Sequence, residues 1–163
     1  MCRRNPVPSV RAGLAAVVLL FAAITQAATG AVSNELVVAD RRAGVALYGF
    51  DPVSYFLDGE ARPGSEHHEL SFGGFTWRFA SEANRAAFKS RPDAYVPGFG
   101  GYDPVALVRG APVAGHPAVF AVYDGRLFLF QRPENRDAFL SEPATALEAA
   151  RAAWPRVRRS LVH

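Results

Sequence analysis

The chain has 163 residues, with 18 Lys and Arg, 15 Asp and Glu, and one cysteine, Cys2. Three of the arginines and none of the acids precede residue 28. The rest of the chain is therefore balanced in charge, and its composition excludes nucleic-acid binding driven by net charge. Because Cys2 lies in the same leading segment, the remainder has no disulfide, thiol nucleophile or thiolate metal site.

The first 28 residues have the pattern of a secretory signal peptide. Arg3, Arg4 and Arg11 form a basic region, an apolar run follows at 13–24, and small residues at 25–28 suit a cleavage site. The apolar run is too short to span a bilayer comfortably. We therefore expect a periplasmic or secreted protein that meets the membrane only through its signal peptide, during export.

An internal repeat organises the rest of the chain. GFDPVSYFLDGEARPG at 49–64 is echoed by GYDPVALVRGAPVAG at 101–115, and 73–92 matches 124–143 at a constant offset of 51. This many agreements at one spacing indicate a duplicated supersecondary unit. We divide the chain into a signal peptide (1–28), a linker with a short strand near 35–39 (29–43), repeat 1 (44–98), repeat 2 with a C-terminal helix (99–157) and a basic tail (158–163).

Each repeat is predicted to begin with a short helix and a hairpin. Asp followed by Pro, at 51–52 and 103–104, is typical of a helix start. Asp accepts hydrogen bonds from the free N–H groups of the first turn, and Pro has no N–H that would lack a partner there. We expect the first of these helices over 52–57. Alternating apolar residues flank Gly73-Gly74 and Asp124-Gly125, which suit tight hairpin turns.

A second helix follows each hairpin. Ser81 is predicted to cap the first of these helices, and Pro133 to begin the other. Pro92 and Pro143 should end them, leaving a loop at 93–101 between the repeats. The last helix is expected over 144–154, stopped by Pro155. The predicted fold class is α+β, with two pseudo-symmetric repeats packed as one small domain.

The pattern of residues resembles the YHS domain, a relative of the TRASH metal-binding modules, and in particular exported bacterial proteins of that kind. The resemblance covers about 44–157. It implies the same fold, and in YHS modules that bind metal it also implies cysteines at positions where this chain has Ser54, Ala80 and Asn84. Exported relatives often have a further cysteine where this chain has Asp103. The matching residues are Asp51, Pro52, Val53, Trp77, Phe79, Ser81, Phe88, Pro92 and Tyr95.

The histidines are the candidate metal ligands. His67 and His68 point to opposite faces if they lie on a strand, so one of them could join His116, which aligns with Ser65 in the repeat. Imidazole and carboxylate ligands suit copper or zinc. The alternative is that these are surface histidines beside a loop.

Acidic, basic and aromatic residues offer further candidates. Asp51 and Asp103 could form a general acid/base pair, although helix capping already explains both. Arg85 and Arg136 could grip an anionic ligand, or could be structural, bridging to the other copy or to a loop carbonyl. Trp77 could line a ligand pocket together with neighbouring aromatic residues, an arrangement that is more often core.

We interpret the chain as an exported, non-catalytic binding or accessory module whose partner is an unknown protein or small ligand. No catalytic residue and no cofactor are assigned, and no nucleic-acid partner is expected. One alternative is a periplasmic metal-handling protein that uses His67, His68, His116 and a carboxylate to bind copper or zinc. A weaker alternative is an enzyme with Asp51 or Asp103 as its acid or base.

Overall fold

A computed structural model describes residues 37–161 apart from residue 41. The predicted signal peptide and most of the predicted linker lie outside the described residues. The predicted α+β class is confirmed. The strands are β1 (Ala39–Asp40), β2 (Val45–Ala46), β3 (Ser65–Phe72), β4 (Phe75–Phe79), β5 (His116–Tyr123) and β6 (Arg126–Phe130). The helices are α1 (Ser54–Leu57), α2 (Glu82–Ser90), α3 (Pro92–Tyr95), α4 (Pro104–Val108), α5 (Pro133–Ser141) and α6 (Pro143–Leu161).

Both predicted hairpins form, in separate sheets. One sheet has the strand order β1-β2-β4-β3 and the other contains β5 and β6. Each hairpin has an irregular register that begins at its first residue: Ser65 pairs with Phe79 and His116 with Phe130, and regular pairing resumes at Glu69 and Phe120. The three residues between these points have no register partner in the opposite strand, so each hairpin contains an irregular bulge of three residues.

The two hairpins share one apolar core. Leu127 and Leu129 of β6 belong to the same buried cluster as Trp77 and Phe79 of β4. Tyr55 also crosses between the halves, because its hydroxyl donates to the carbonyl of Pro117 at 3.0 Å. These contacts explain why neither predicted repeat has to bury its hairpin alone.

Each second helix packs a buried phenylalanine against its own hairpin, Phe88 from α2 and Phe139 from α5. Ser81 caps α2 as predicted, accepting a hydrogen bond from the Asn84 N–H at 3.1 Å. Phe88 of α2 is fully buried and contacts the rings of Trp77 and Phe79. Pro133 begins α5 as predicted.

The segment between the halves is more ordered than the predicted loop at 93–101. Pro92 does not simply end α2: it begins α3, and a further turn forms at Gly98–Gly101. Pro is favourable at the first position of a helix because the N–H it lacks would have no partner there. The same reasoning explains Pro143, which begins α6.

The prediction that Pro155 stops the last helix is wrong. Helix α6 continues to Leu161 with Pro155 inside it, so residues 158–161 of the predicted basic tail are helical. An interior Pro removes one helical hydrogen bond. The helix continues because the residues beyond it are anchored: Val157 is buried, and Leu161 packs against the same apolar cluster. No helix in the described part of the chain is long and apolar enough to cross a membrane.

Candidate functional site

Asp51 is fully buried and joins three segments of the first half. Its Oδ1 accepts a hydrogen bond from the Val53 N–H at 2.8 Å. Its Oδ2 accepts from the N–H of Ala80 at 2.8 Å and from the amide of Asn84 at 2.6 Å. The carboxylate therefore connects the turn before α1, the end of β4 and the first turns of α2. Since α1 begins only at Ser54, Asp51 is not the cap residue of that helix, which corrects the prediction.

Asp103 makes the corresponding contacts in the second half. Its Oδ1 accepts from the N–H groups of Val105 and Ala106 at 2.9 and 3.2 Å, so here the predicted helix cap is observed. Its Oδ2 accepts from the Gln131 N–H at 2.9 Å and from the Asn135 amide at 2.6 Å. Both carboxylates face neutral donors at short range, which is how a buried charge is stabilised without a counter-ion.

The burial and hydrogen bonding of Asp51 and Asp103 are relevant to the hypothesis that either acts as a general acid or base. A general acid or base has to reach the proton that it transfers. Asp51 and Asp103 are each 0% exposed, and both oxygens of each accept hydrogen bonds from the protein. Their geometry is that of structural linkers between elements.

Three positions at which the YHS resemblance would imply cysteines, Ser54, Ala80 and Asn84, lie around Asp51. Asn84 and Ala80 donate to its carboxylate, and the Ser54 hydroxyl donates to its carbonyl at 2.9 Å. Ser54 is also fully buried. In this chain, hydrogen bonds between the Asp51 carboxylate and the neighbouring amide groups therefore occupy the region in which the resemblance implies thiolates.

The histidines lie at the start of the two hairpins. His67 and His68 fall within the irregular part of β3, where His67 is exposed and His68 Nδ1 lies 3.7 Å from Glu82 Oε2. His116 begins β5, and its Nδ1 accepts from the Ala118 N–H at 3.1 Å. Among the described residues there is no group of three or more His, Cys, Asp or Glu side chains that could hold a metal ion. Copper or zinc binding stays a prediction.

The two arginines pair with acids of their own helices. Arg85 makes two hydrogen bonds with Glu82, at 2.7 and 2.9 Å, and reaches the carbonyl of Glu69 at 3.4 Å. The hydrogen bond from Arg85 holds the pKa of the Glu82 carboxyl below its ordinary value. Arg136 bonds to the adjacent Asp137 at 3.0 Å. Neither contact joins the two halves as the structural alternative expected, although Arg85 does reach a backbone carbonyl.

Trp77 lies in the core. It is 1% exposed, its indole N–H donates to the Phe72 carbonyl at 3.0 Å, and its ring packs against Phe88. Phe79, Phe128 and Phe130 of the same alternating pattern are also buried. The aromatic residues of the two hairpins therefore pack inside the domain.

Two left-handed turns precede the buried aspartates. In the first, Leu47, Tyr48 and Gly49 have φ of 50°, 53° and 85°, and the Phe50 N–H closes the turn on the Leu47 carbonyl. In the second, residues 99–101 have φ of 53°, 65° and 90°, closed by Tyr102 on Phe99 in the same way. Non-glycine residues rarely adopt this conformation, because Cβ then crowds the backbone at a cost of about 1–2 kcal/mol each.

The strain is compensated by packing at the first position of each turn. Leu47 is fully buried, and Phe99 contacts the rings of Phe128 and Trp154. The second position differs between the halves: it is Gly100 in one turn and Tyr48 in the other. Tyr48 is 49% exposed. Its side chain makes no hydrogen bond or ring contact with the residues that the structure describes.

Sequence reasoning missed both Tyr48 and the Asp–Asn pairs. The pairs could have been anticipated, because Asp51 with Asn84 and Asp103 with Asn135 recur together in the repeat. The sequence also contains an indication for Tyr48. Tyr48 lies three residues before Asp51, whereas the corresponding residue before Asp103 is Gly100. Only the backbone geometry shows that this place is left-handed.

Comparison of the chain with protein-family models finds no match, and comparisons with curated proteins and with solved structures find none either. Function therefore has to be argued from the site itself.

Proposed function

We propose that the chain is an exported, non-catalytic binding module with a YHS-like fold, and that the turn containing Tyr48 contacts its partner. The observation that carries the proposal is the strained, exposed backbone at Tyr48. Backbone strain persists where something else requires the residue, and it clusters at functional sites.

The comparison of the two turns supports a role for the Tyr48 side chain in contact with another molecule. Gly100 occupies the second position of the other turn, so glycine satisfies the backbone there without strain. A tyrosine at this position adds strain, and its ring makes no contact with the rings of the described residues that would offset this strain. Tyrosine is enriched at interfaces, because its ring buries area while its hydroxyl finds a hydrogen-bond partner.

The burial of the candidate acids supports a non-catalytic role. Asp51 and Asp103 are committed to linking elements of the fold, with every carboxylate oxygen accepting a hydrogen bond. A binding module needs no titrating group in a cleft. The partner is a protein or a small ligand.

Site-specific cross-linking tests the proposal even while the partner is unidentified. A photo-reactive phenylalanine analogue in place of Tyr48 should give a discrete adduct in the cell of origin. The same analogue in place of Leu140, which is 46% exposed on α5, is the matched control and should give none. An adduct of the same mass from both positions, or none from position 48, would contradict the proposal.

A further inference from the structure

We infer that the arginines on the outer side of α6, together with Arg109 at the end of α4, form a docking surface for an anionic phospholipid bilayer. This arginine face comprises Arg109, Arg151, Arg156, Arg158 and Arg159, all exposed. The inference is independent of the proposed function, because it concerns a different part of the molecule from the Tyr48 turn.

The charge on this part of the chain has one sign. From Ala149 to the end of α6 there are four arginines and no acid. None of the five arginines forms an ion pair with an acid among the residues that the structure describes. In the first half, Arg62, Arg78 and Arg85 are paired with Asp or Glu, whereas Arg42, Lys89 and Arg91 form no ion pair among the described residues. The arginine face therefore holds five of the ten described Lys and Arg side chains that form no ion pair, and four of those five lie within nine consecutive residues of α6.

The helix that carries four of these arginines is anchored to the rest of the domain. Ala150 and Val157, on the inner side of α6, are 0% and 2% exposed, and Val157 packs with Leu107 of α4. At 3.6 residues per turn, Arg151, Arg158 and Arg159 fall within about 100° of each other around the helix axis and span roughly 12 Å along it.

Arg156 lies about 140° from Arg151 around the helix axis, on the side of α6 next to α4. Its Nη2 lies 3.4 Å from the position that a Cβ would occupy on Gly110, the residue after Arg109. Helices α4 and α6 pack together through Leu107 and Val157. The two elements therefore present their cations on adjoining surfaces.

The chemistry of this surface favours phospholipid. Clusters of four to eight Lys or Arg on a helix attract anionic lipids at about 1 kcal/mol per residue, which is roughly fivefold in affinity each. The planar guanidinium matches phosphate with two hydrogen bonds. Val108, which is 45% exposed beside Arg109, adds an aliphatic contact of the kind that peripheral proteins insert between headgroups. Helix α6 can lie on the surface without inserting, because its apolar side is already packed.

This inference replaces the expectation that the protein meets a membrane only during export. That expectation assigned no membrane contact to the basic tail at 158–163. A mobile basic tail and an anchored row of arginines differ in how well they hold several headgroups at once, since the row loses less conformational freedom on binding.

Vesicle sedimentation tests the inference. Two types of vesicle are compared. One contains equal parts of phosphatidylcholine and phosphatidylglycerol, and the other contains phosphatidylcholine alone. One variant combines Arg151→Gln, Arg156→Gln, Arg158→Gln and Arg159→Gln. The matched control combines Arg42→Gln, Lys89→Gln, Arg91→Gln and Arg126→Gln, which removes the same charge from exposed positions elsewhere. All proteins keep the same N-terminal segment, so any contribution from its apolar run is equal.

The wild type should prefer the anionic vesicles, and the preference should weaken as salt screens the charges. Loss of the four α6 arginines should lower binding on the order of several-hundredfold, and the control substitutions should lower it only a few-fold. Equal losses of binding in both variants would overturn the inference, because the overall positive charge, wherever it lies, would then account for the binding. Absence of any preference for anionic vesicles would also overturn it. Binding to polyglutamate but not to vesicles would instead assign the surface to an acidic polypeptide.

Discussion

At the scale of single residues, the most consequential side chains are two buried carboxylates without counter-ions. Asp51 and Asp103 are each held by backbone N–H groups and one asparagine amide. Each bond is charge-assisted, and such bonds are about twice as strong as neutral ones. Since each carboxylate contacts three segments, its loss should loosen several elements at once.

Replacing Asp103 with asparagine should destabilise the protein strongly. An amide group turned toward the donors of Gln131 and Asn135, or toward those of Val105 and Ala106, would leave two donors without an acceptor. At about 1–3 kcal/mol for each unsatisfied buried group, Asp103→Asn should lower the free energy of unfolding by at least about 2 kcal/mol in urea titrations. Asp93→Asn, at an exposed position, should change it by less than about 0.5 kcal/mol. Equal effects of both substitutions would contradict the structural role.

At the scale of elements, both hairpins could be predicted from local pattern. Alternating aromatic residues and the turns at Gly73-Gly74 and Asp124-Gly125 specify them locally, and the structure confirms them. The continuation of α6 could not be predicted, because it depends on the anchoring of Val157 by residues distant in sequence. The same holds for Leu47, whose left-handed backbone is stabilised by burial in the core.

The interior proline of α6 leads to a prediction about that helix. Pro155 lacks the N–H that would otherwise bond to the carbonyl of Arg151, and an interior Pro costs a helix about 3 kcal/mol. Pro155→Ala should therefore raise the free energy of unfolding by about 1–3 kcal/mol. Glu148→Ala, at an exposed position of the same helix, should change it by only a few tenths of a kcal/mol. Lower stability of Pro155→Ala would contradict this prediction and would mean that the proline helps to place Val157 and Leu161 in the core.

At the scale of the whole molecule, the two halves are joined by shared packing and by hydrogen bonds that include a buried one from Tyr55 and one from the Val38 N–H to the Gly100 carbonyl. Tyr55 of α1 donates to the Pro117 carbonyl of β5, and its ring contacts Phe120 edge-on. Burial, and next the negative charge of Asp51, raise the pKa of the Tyr55 hydroxyl above its ordinary value. Ionisation of this hydroxyl is therefore disfavoured in the folded protein.

This raised pKa predicts a loss of stability at alkaline pH. Above roughly pH 10 the unfolded chain releases the tyrosine proton while the folded protein retains it, so stability falls as pH rises, by up to about 1.4 kcal/mol per pH unit. Tyr55→Phe should be less stable near neutral pH by about 1–2 kcal/mol, because the Pro117 carbonyl loses its donor. Its stability should also fall less between roughly pH 10 and 12. Unfolding titrations across this range test both points, and identical alkaline slopes for the two proteins would contradict them.

The candidate site could be predicted only in part. The repeated Asp-Pro pairs pointed to Asp51 and Asp103. Their partners Asn84 and Asn135 lie 33 and 32 residues away, so only the recurrence of both residues in the repeat, and no local pattern, connects them. Trp77 could not be told from a ligand contact until its burial was known. Tyr48 was missed because a left-handed conformation at a non-glycine residue is set by the turn around it rather than by its own preference.

The most direct test of the account compares glycine substitutions in the two left-handed turns. Tyr48→Gly removes strain but no hydrogen bond or ring contact among the described residues, so it should raise the free energy of unfolding by about 1 kcal/mol. Phe99→Gly removes the same strain but also the contacts with Phe128 and Trp154, so it should lower it by about 2 kcal/mol or more. Greater stability of Tyr48→Gly would mean that this tyrosine is kept for something outside the fold, as the binding role predicts. A loss of stability in Tyr48→Gly comparable to that in Phe99→Gly would make Tyr48 a structural residue and contradict the account.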